Sequence, residues 1–335
     1  MKRYLIAIAS TIIIVAIYNL VNIRLFTLDL TKHTRHVLFS HLRTTPQIDT
    51  ALVLLNVGIM DVHEIEASLD SIRKFEPRAI GVNLCHFKQD FKYLQQKYSA
   101  DKRIVFSNCT NGQSFGSIAI IANGNTVTHI RANKSDSFEA KLIGFNGTSK
   151  ETEMINYGGG QFFKADLNNM EWWMTSGFLK GKVVLVGYMG DYLTDSIYYF
   201  TNTRITPLNE YYGESNILPD MYDIEISGHV ISMITGGTFI NEIGLVARVL
   251  VLLLLSVVCV IILTFVRTKW VLLNIFIAGL QFVVLVGFGS FLIVLFFDKG
   301  YYLALDELPL ALLIITGVTT FLNIIEGRAG TQQGV

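Results

Sequence analysis

The chain has 335 residues, 27 of them basic and 27 acidic, so it carries no formal net charge at neutral pH. Hydrophobic residues make up 51% and charged residues 16%, which is too apolar for an ordinary soluble domain and points to a membrane protein with a water-exposed part. Neutrality gives no support for nucleic-acid binding, and no low-complexity tract or internal repeat is visible.

The first element is an apolar run, Tyr4 to Val21, preceded by Lys2 and Arg3. It is long for the core of a signal peptide and no small-x-small cleavage site follows, so it reads as an uncleaved anchor. Beyond it, His33, His36 and His41 lie among Lys32, Arg35 and Arg43. This stretch reads as a solvated or headgroup-facing helix rather than an acid sensor. Ala51 to Asn56, ALVLLN, has the continuous apolar run of a buried strand. Asp61 to Phe75 is helical, with Asp61 and Glu64 spaced as a capping pair. Ala79 to Asn83 is a second strand, Lys88 to Tyr98 a short helix, and Arg103 to Ser107 a third strand. This alternation implies right-handed crossovers and a parallel core. Ser117 to Ala122 and Thr126 to Arg131 read as antiparallel strands joined by Asn123, Gly124 and Asn125. A strand near Met154 to Tyr157 leads into three glycines, and a helix is expected over Asp166 to Met174. Val183 to Gly187, VVLVG, is the central strand, and a last helix covers Ile224 to Thr235. The fold class expected is α/β with a mostly parallel mixed sheet.

Three more apolar runs follow: Leu245 to Val266, Trp270 to Phe297 and Leu303 to Ile325. Each is long enough to cross about 30 Å of hydrocarbon as a helix. Arg248, just inside the first of these, snorkels to the interface. Lys2, Arg3, Arg267, Lys269 and Arg328 share one side if both termini are cytoplasmic, which satisfies the positive-inside rule. The expected division is an anchor over 1–22, an extracytoplasmic α/β domain over 23–244, a three-helix transmembrane bundle over 245–325 and a short cytoplasmic tail over 326–335.

Four stretches, taken in order, resemble the second type of CHASE domain, the cyclase/histidine-kinase-associated sensory extracellular domains. They are EPRAIGVNLCHF (Glu76 to Phe87), INYGGGQF (Ile155 to Phe162), LKGKVVLVGYMGDYLTD (Leu179 to Asp195) and DIEISGHVISMI (Asp223 to Ile234). One N-terminal span, an external domain and three closing spans are also that family's layout. The resemblance covers nearly the whole chain and implies a sensory input in the cytoplasmic membrane of a bacterium. Family members usually continue into a cytoplasmic catalytic domain, whereas here only 326–335 follow the last span. Output through the chain's own effector is therefore not expected, and the resemblance implies a separate membrane-protein partner. The family often carries Asp where this chain has Asn83, and commonly His and Asn where it has Ser227 and His229, which weakens an acid-dependent metal site. Asp195 and Glu225 match the family's usual acids.

Asn56, Asn83 and Asn108 each fall at or just past the carboxyl end of a predicted parallel strand, where ligands of open α/β sheets bind. Three amides there either hydrogen-bond a small polar ligand or simply serve strand-ending turns. Asp195 either faces the same crevice or caps the segment from Ser196. Glu225 and His229 share a helix face but make half a metal site at best, and read as a surface pair. The turn from Gly187 to Gly190 matches neither a Walker loop nor a dinucleotide fingerprint. No nucleophile elbow or Ser-His-Asp order is visible, so the chain is read as non-enzymatic, with no cofactor or metal.

Cys85 and Cys109 lie just beyond adjacent strands and form a candidate disulfide in an oxidising compartment, the alternative being two small buried thiols. Asn274 and Gln281 in the third span, and Thr316 and Asn323 in the fourth, lie at matching depths. They are expected to pair as Asn274–Asn323 and Gln281–Thr316, or else to face another span or a partner protein. The leading functional reading is a membrane-anchored sensory or binding protein with a small polar ligand. The rival is a structural subunit of an envelope complex with no ligand of its own.

Overall fold

The structure, a computed structural model, describes residues 9, 49–85, 91–107, 121–123, 126–131, 137–147, 150–157, 162–169, 177–194, 203–209, 218–265, 271–302 and 311–321. The chain divides into two compact units, Arg43–Ile240 and a second made of Met1–Leu42 with Asn241–Val335.

The elements of the first unit are, in chain order, β1 (Asp49–Asn56), α1 (Val62–Lys74), β2 (Ala79–Asn83), α2 (Lys92–Lys97), β3 (Ile104–Phe106), β4 (Ile121–Asn123), β5 (Thr126–Ile130), α3 (Phe138–Ile143), β6 (Glu153–Met154), β7 (Phe162–Asp166), β8 (Val183–Gly187), β9 (Thr203–Arg204), β10 (Met221–Tyr222) and α4 (Asp223–Gly236). Five strands make one sheet in the order β3-β2-β8-β1-β7, and every pairing in it is parallel. β2 and β8 are buried along their whole length, as strands covered on both faces must be. Side chains leave the sheet alternately. Val53, Leu55, Ile80, Val82, Val184 and Val186 meet Ile65, Leu69 and Ile72 of α1 and Leu94 of α2. Leu52, Leu54, Ala79, Val183 and Leu185 meet Phe138 and Leu142 of α3 and Ile224 and Ile231 of α4 on the opposite face. The result is a three-layer α/β/α arrangement with a core on each side of the sheet.

Local sequence explains the helix ends. Asp61 accepts from the Glu64 amide at 2.8 Å, and the Glu64 carboxylate accepts from the Asp61 amide at 2.8 Å, the reciprocal capping that the spacing predicts. α3 starts at Ser137, whose hydroxyl accepts from the Ala140 amide, and ends at Gly144 in the left-handed region at φ 70°. It lies close on β2 because residue 81 has no side chain. A Cβ there would sit 2.8 Å from Phe138 Cζ and 2.9 Å from Leu142 Cδ2.

Three expectations are revised here. The helix expected from Asp166 is preceded by a strand, β7, which pairs with β1 and forms one edge of the sheet; only a single 3₁₀ turn, Leu167–Asn169, follows it within the described residues. α3 falls in a stretch where no helix is expected from sequence. α2 is shorter than predicted, beginning at Lys92. The hairpin forms with Asn123 opposite Thr126, and β5 then pairs with β6.

The second unit contains β11 (Asn241–Glu242), α5 (Leu245–Phe265), α6 (Val271–Asp298), β12 (Tyr301–Tyr302) and α7 (Ala311–Phe321), with β11 and β12 parallel. Among the described residues, two helices are long and apolar enough to cross a membrane, over Val246–Leu263 and Leu272–Ile293. α7 is apolar but shorter, and the expected first span lies outside the described residues apart from Ala9. Leu252, Leu255, Cys259 and Leu263 of α5 form a common core with Ala278 and Leu285 of α6 and Leu312 and Ile315 of α7.

Candidate functional site

The parallel register sets a row of residues along the carboxyl edge of the sheet. Gly187 stands between Asn56 and Asn83, and Asp166 stands on the far side of Asn56. Val82 pairs with Phe106, so Ser107 follows beside Asn83. The row is therefore Ser107, Asn83, Gly187, Asn56, Asp166. It is polar on both flanks of a glycine, in the position where open α/β sheets bind ligands.

Asn56 is 1% exposed, and the protein fills its hydrogen-bonding capacity. Its Nδ2 donates to Asp166 Oδ1 at 2.8 Å and to the Gly190 carbonyl at 3.0 Å. Its Oδ1 accepts from the Met189 amide at 2.7 Å and the Gly58 amide at 3.1 Å. Asp166 accepts in turn from the Leu193 amide at 3.1 Å. These bonds tie the β1–α1 turn, the end of β7 and the loop after β8 into one clamp. The fit is close at Gly58, where φ is +52° and a Cβ would lie 2.3 Å from the Asp191 carbonyl oxygen. The loop after β8 thus turns its Met189 and Leu193 amides toward Asn56 and Asp166 rather than toward a phosphate. Asp191, which accepts from the Tyr188 hydroxyl at 3.0 Å, adds a second acid. An anion is disfavoured here on both counts.

Asn83 differs. Its Oδ1 accepts from the Cys85 amide at 3.3 Å and the Ser107 hydroxyl at 3.2 Å. Among the described residues, no acceptor meets its Nδ2. The amide is therefore held by its oxygen, with its two N–H donors left for solvent or a ligand. Cys85 is disulfide-bonded, and its sulfur lies 3.1 Å from the Ser107 hydroxyl oxygen. Asn108, Cys109 and Asp195 lie outside the described residues.

Glu225 is 8% exposed and closes the N-terminus of α4, accepting from the Tyr222 amide at 2.8 Å. Its other oxygen pairs with Lys164 Nζ of β7, from the same strand face as the buried Phe162. His229 is buried, its ring against Phe162 at 4.8 Å and Tyr157 at 5.4 Å between centroids. The surface pair expected of Glu225 and His229 is thus replaced by a buried cap and a buried ring. α4 packs against β1 and β8 of the sheet, and His229 is enclosed by Phe162 and Tyr157. Among the described residues, no group of three His, Cys, Asp or Glu side chains could hold a metal ion.

Ser107 and Asp166 escape notice in the sequence although both shape this edge. Ser107 is a lone hydroxyl in an apolar strand. Asp166 is hidden by the helical pattern expected to start at it.

Within the second unit, Gln281 Nε2 donates to the Cys259 carbonyl on α5 at 2.8 Å, and the Thr316 hydroxyl meets Cys259 Sγ at 3.5 Å. The expected Gln281–Thr316 hydrogen bond is not made; both side chains converge on Cys259 instead. Matching depth aligns turns along the helix axes but does not choose between neighbouring helices, and α5 supplies the nearer backbone. Asn274 is half-buried on α6, and Asn323 lies outside the described residues. Compared with protein-family profiles, curated proteins and solved structures, the chain matches none.

Proposed function

We propose that the Arg43–Ile240 unit is an extracytoplasmic sensory or binding domain of the CHASE kind, and that the apolar helices hold it in the membrane and pass its signal to a separate protein. The observation that carries this reading is the carboxyl edge of the sheet. Asn83 is oriented by two bonds to its oxygen and keeps its amide donors unengaged by the described residues. A donor pair fixed in this way suits an uncharged or carbonyl-bearing polar ligand, since Asp166 and Asp191 stand along the same edge. Helix α4 starts at this edge, where Ile224 packs beside Gly187, and the chain reaches the first apolar helix soon after α4 ends. A ligand that shifted the start of α4 would thereby act on the segment leading into the membrane.

The test is a thermal-shift screen of the detergent-solubilised chain against small polar metabolites, run in parallel on Asn83→Ala. A ligand that raises the melting temperature of the parent and not of the variant supports the reading. A screen with no response, together with stable co-purification in a large assembly, favours the second reading, a structural subunit of an envelope complex. The filled hydrogen-bonding capacity of Asn56 favours that second reading, because a clamp serves shape whether or not a ligand binds.

A further inference from the structure

We infer that Gln281 is a register peg: it fixes the axial position of α6 against α5 and does so without adding to the stability of the bundle. Three observations meet at this residue. Gln281 is 7% exposed within a mostly apolar core, and Oε1 of its amide is buried with no hydrogen-bond partner. Its single bond runs from Nε2 to the Cys259 carbonyl at 2.8 Å. Cys259 is a small side chain between Leu255 and Leu263, which lie one turn before and after it in the same core.

A half-satisfied buried amide is a poor way to gain stability. An apolar side chain of similar size would pack there without leaving an acceptor unpaired. The same feature is effective at specifying register, as a lone polar residue in an apolar helix interface is known to do. The surrounding contacts alone do not specify it. Leu252, Leu255 and Leu263 against Ala278 and Leu285 are apolar on apolar, and a slide of one turn exchanges one such contact for another. The amide has one place to go. At Cys259 the short side chain leaves the helix carbonyl approachable. One turn away in either direction the residue is a leucine, whose bulkier side chain occupies the same core. Ser256 does not satisfy Oε1, because its one hydroxyl hydrogen is given within its own helix to the Leu252 carbonyl at 2.7 Å. The gap at Cys259 is thus the hole and Gln281 the peg. The inference is independent of what the first unit senses or binds.

The experiment measures register and stability separately. Spin labels are placed on Val246→Cys in α5 and Leu272→Cys in α6, positions that are 75% and 83% exposed. Each is the second residue of its helix, so in an antiparallel pair they stand far apart along the axis and a slide changes their separation directly. Cys259 is fully buried and Cys85 disulfide-bonded, so neither competes for label. The parent should give one narrow distance distribution. Gln281→Leu should add a second population displaced by about one helical turn, ~5.4 Å, while the melting temperature in detergent holds or rises. Cys259→Ala, which keeps the hole, should retain the single distribution. A single unshifted distribution in Gln281→Leu, or a fall in its melting temperature, overturns the proposal. So does a second population in Cys259→Ala, which would assign register to the thiol contact with Thr316. Gln281→Met supplies a flexible apolar chain of similar length. If both the Leu and Met variants fail to fold, Gln281 is a stabilising residue and the proposal is overturned on that ground.

Discussion

At the scale of single residues, Asn56 shows how a position that reads as a ligand contact becomes a structural one. Its place at the end of β1 is legible from the apolar run before it. Its partners are not, because Met189 and Gly190 are 133 and 134 residues away in sequence. Only the insertion of β8 between β1 and β2 brings them together. The assignment has a sharp consequence for Asn56→Asp. The new carboxylate would face the Asp166 carboxylate and the Gly190 carbonyl where an amide now donates to both. Burying that unpaired charge should cost ~3 kcal/mol at neutral pH, read as a lower urea midpoint, with part of the loss recovered in mild acid. An unchanged midpoint would mean that the clamp is not formed. Glu76 offers the opposite case. It is the one described non-glycine residue with positive φ, at 51°, in the turn that ends α1. Its ion pair with Lys180 joins two side chains that are each 69% exposed and adds little. Glu76→Gly relieves left-handed strain of about 1–2 kcal/mol and adds back about 0.5–1 kcal/mol of chain entropy. A net gain of about 0.5 kcal/mol, seen as a slightly higher urea midpoint, is the expected outcome.

At the scale of elements, β1, β2, β8 and α1 are legible in the sequence because each is specified locally, by a continuous apolar run or by a capping box. β7 goes unread in the sequence because FFKAD has no continuous apolar run: Phe163 and Lys164, on opposite faces of an edge strand, are both exposed. α3 is not legible in the sequence because six residues give too short a period to register, although Ser137 and Gly144 mark both of its ends. The contact between α1 and the α2 region joins a polar rim to the apolar core they share. The Tyr98 hydroxyl donates its one hydrogen to Asp70 at 2.9 Å, with the Glu66 carbonyl oxygen sharing it at 3.2 Å, and burial beside Asp70 pushes its pKa up to about 12. Tyr98→Phe keeps the ring and loses this shared bond, and should lower stability by about 1 kcal/mol. Beyond α2, Asp101 is gripped by the Arg103 guanidinium, with Arg73 adding a second contact at 3.0 Å, and its carboxyl is held down to about 2. A carboxyl more acidic in the folded chain than in the unfolded one stabilises the fold above its ordinary pKa of 3.8, and that contribution is lost as pH falls toward 2. Melting temperatures taken across that window should fall with acid, and Asp101→Asn should shallow the slope. An identical slope in the variant would remove Asp101 from the acid response.

At the scale of the whole chain, the division at Ile240 matches the composition: α/β elements before it, long apolar helices after it. The side on which the proposed topology places the first unit is argued from charge. Lys2, Arg3, Arg267, Lys269 and Arg328 flank the apolar runs on what must be a common side if all four runs cross. Asn146 tests this, because it is exposed in the turn after α3 and distant in sequence from every apolar run. The thiol background is favourable. The sequence has three cysteines, Cys259 is free and buried, and Cys85 is disulfide-bonded, which leaves Cys109 as its expected partner. The parent chain, unfolded without reductant, should therefore show one reactive thiol; three would rule out the bridge. On that background Asn146→Cys should react with a membrane-impermeant maleimide in intact cells once any outer barrier is permeabilised. If it reacts only after the inner membrane is breached, the first unit is cytoplasmic. The Arg267 loop would then be the external one, the oxidising compartment that favours the Cys85 bridge would be lost, and the extracytoplasmic sensory role would fall with it.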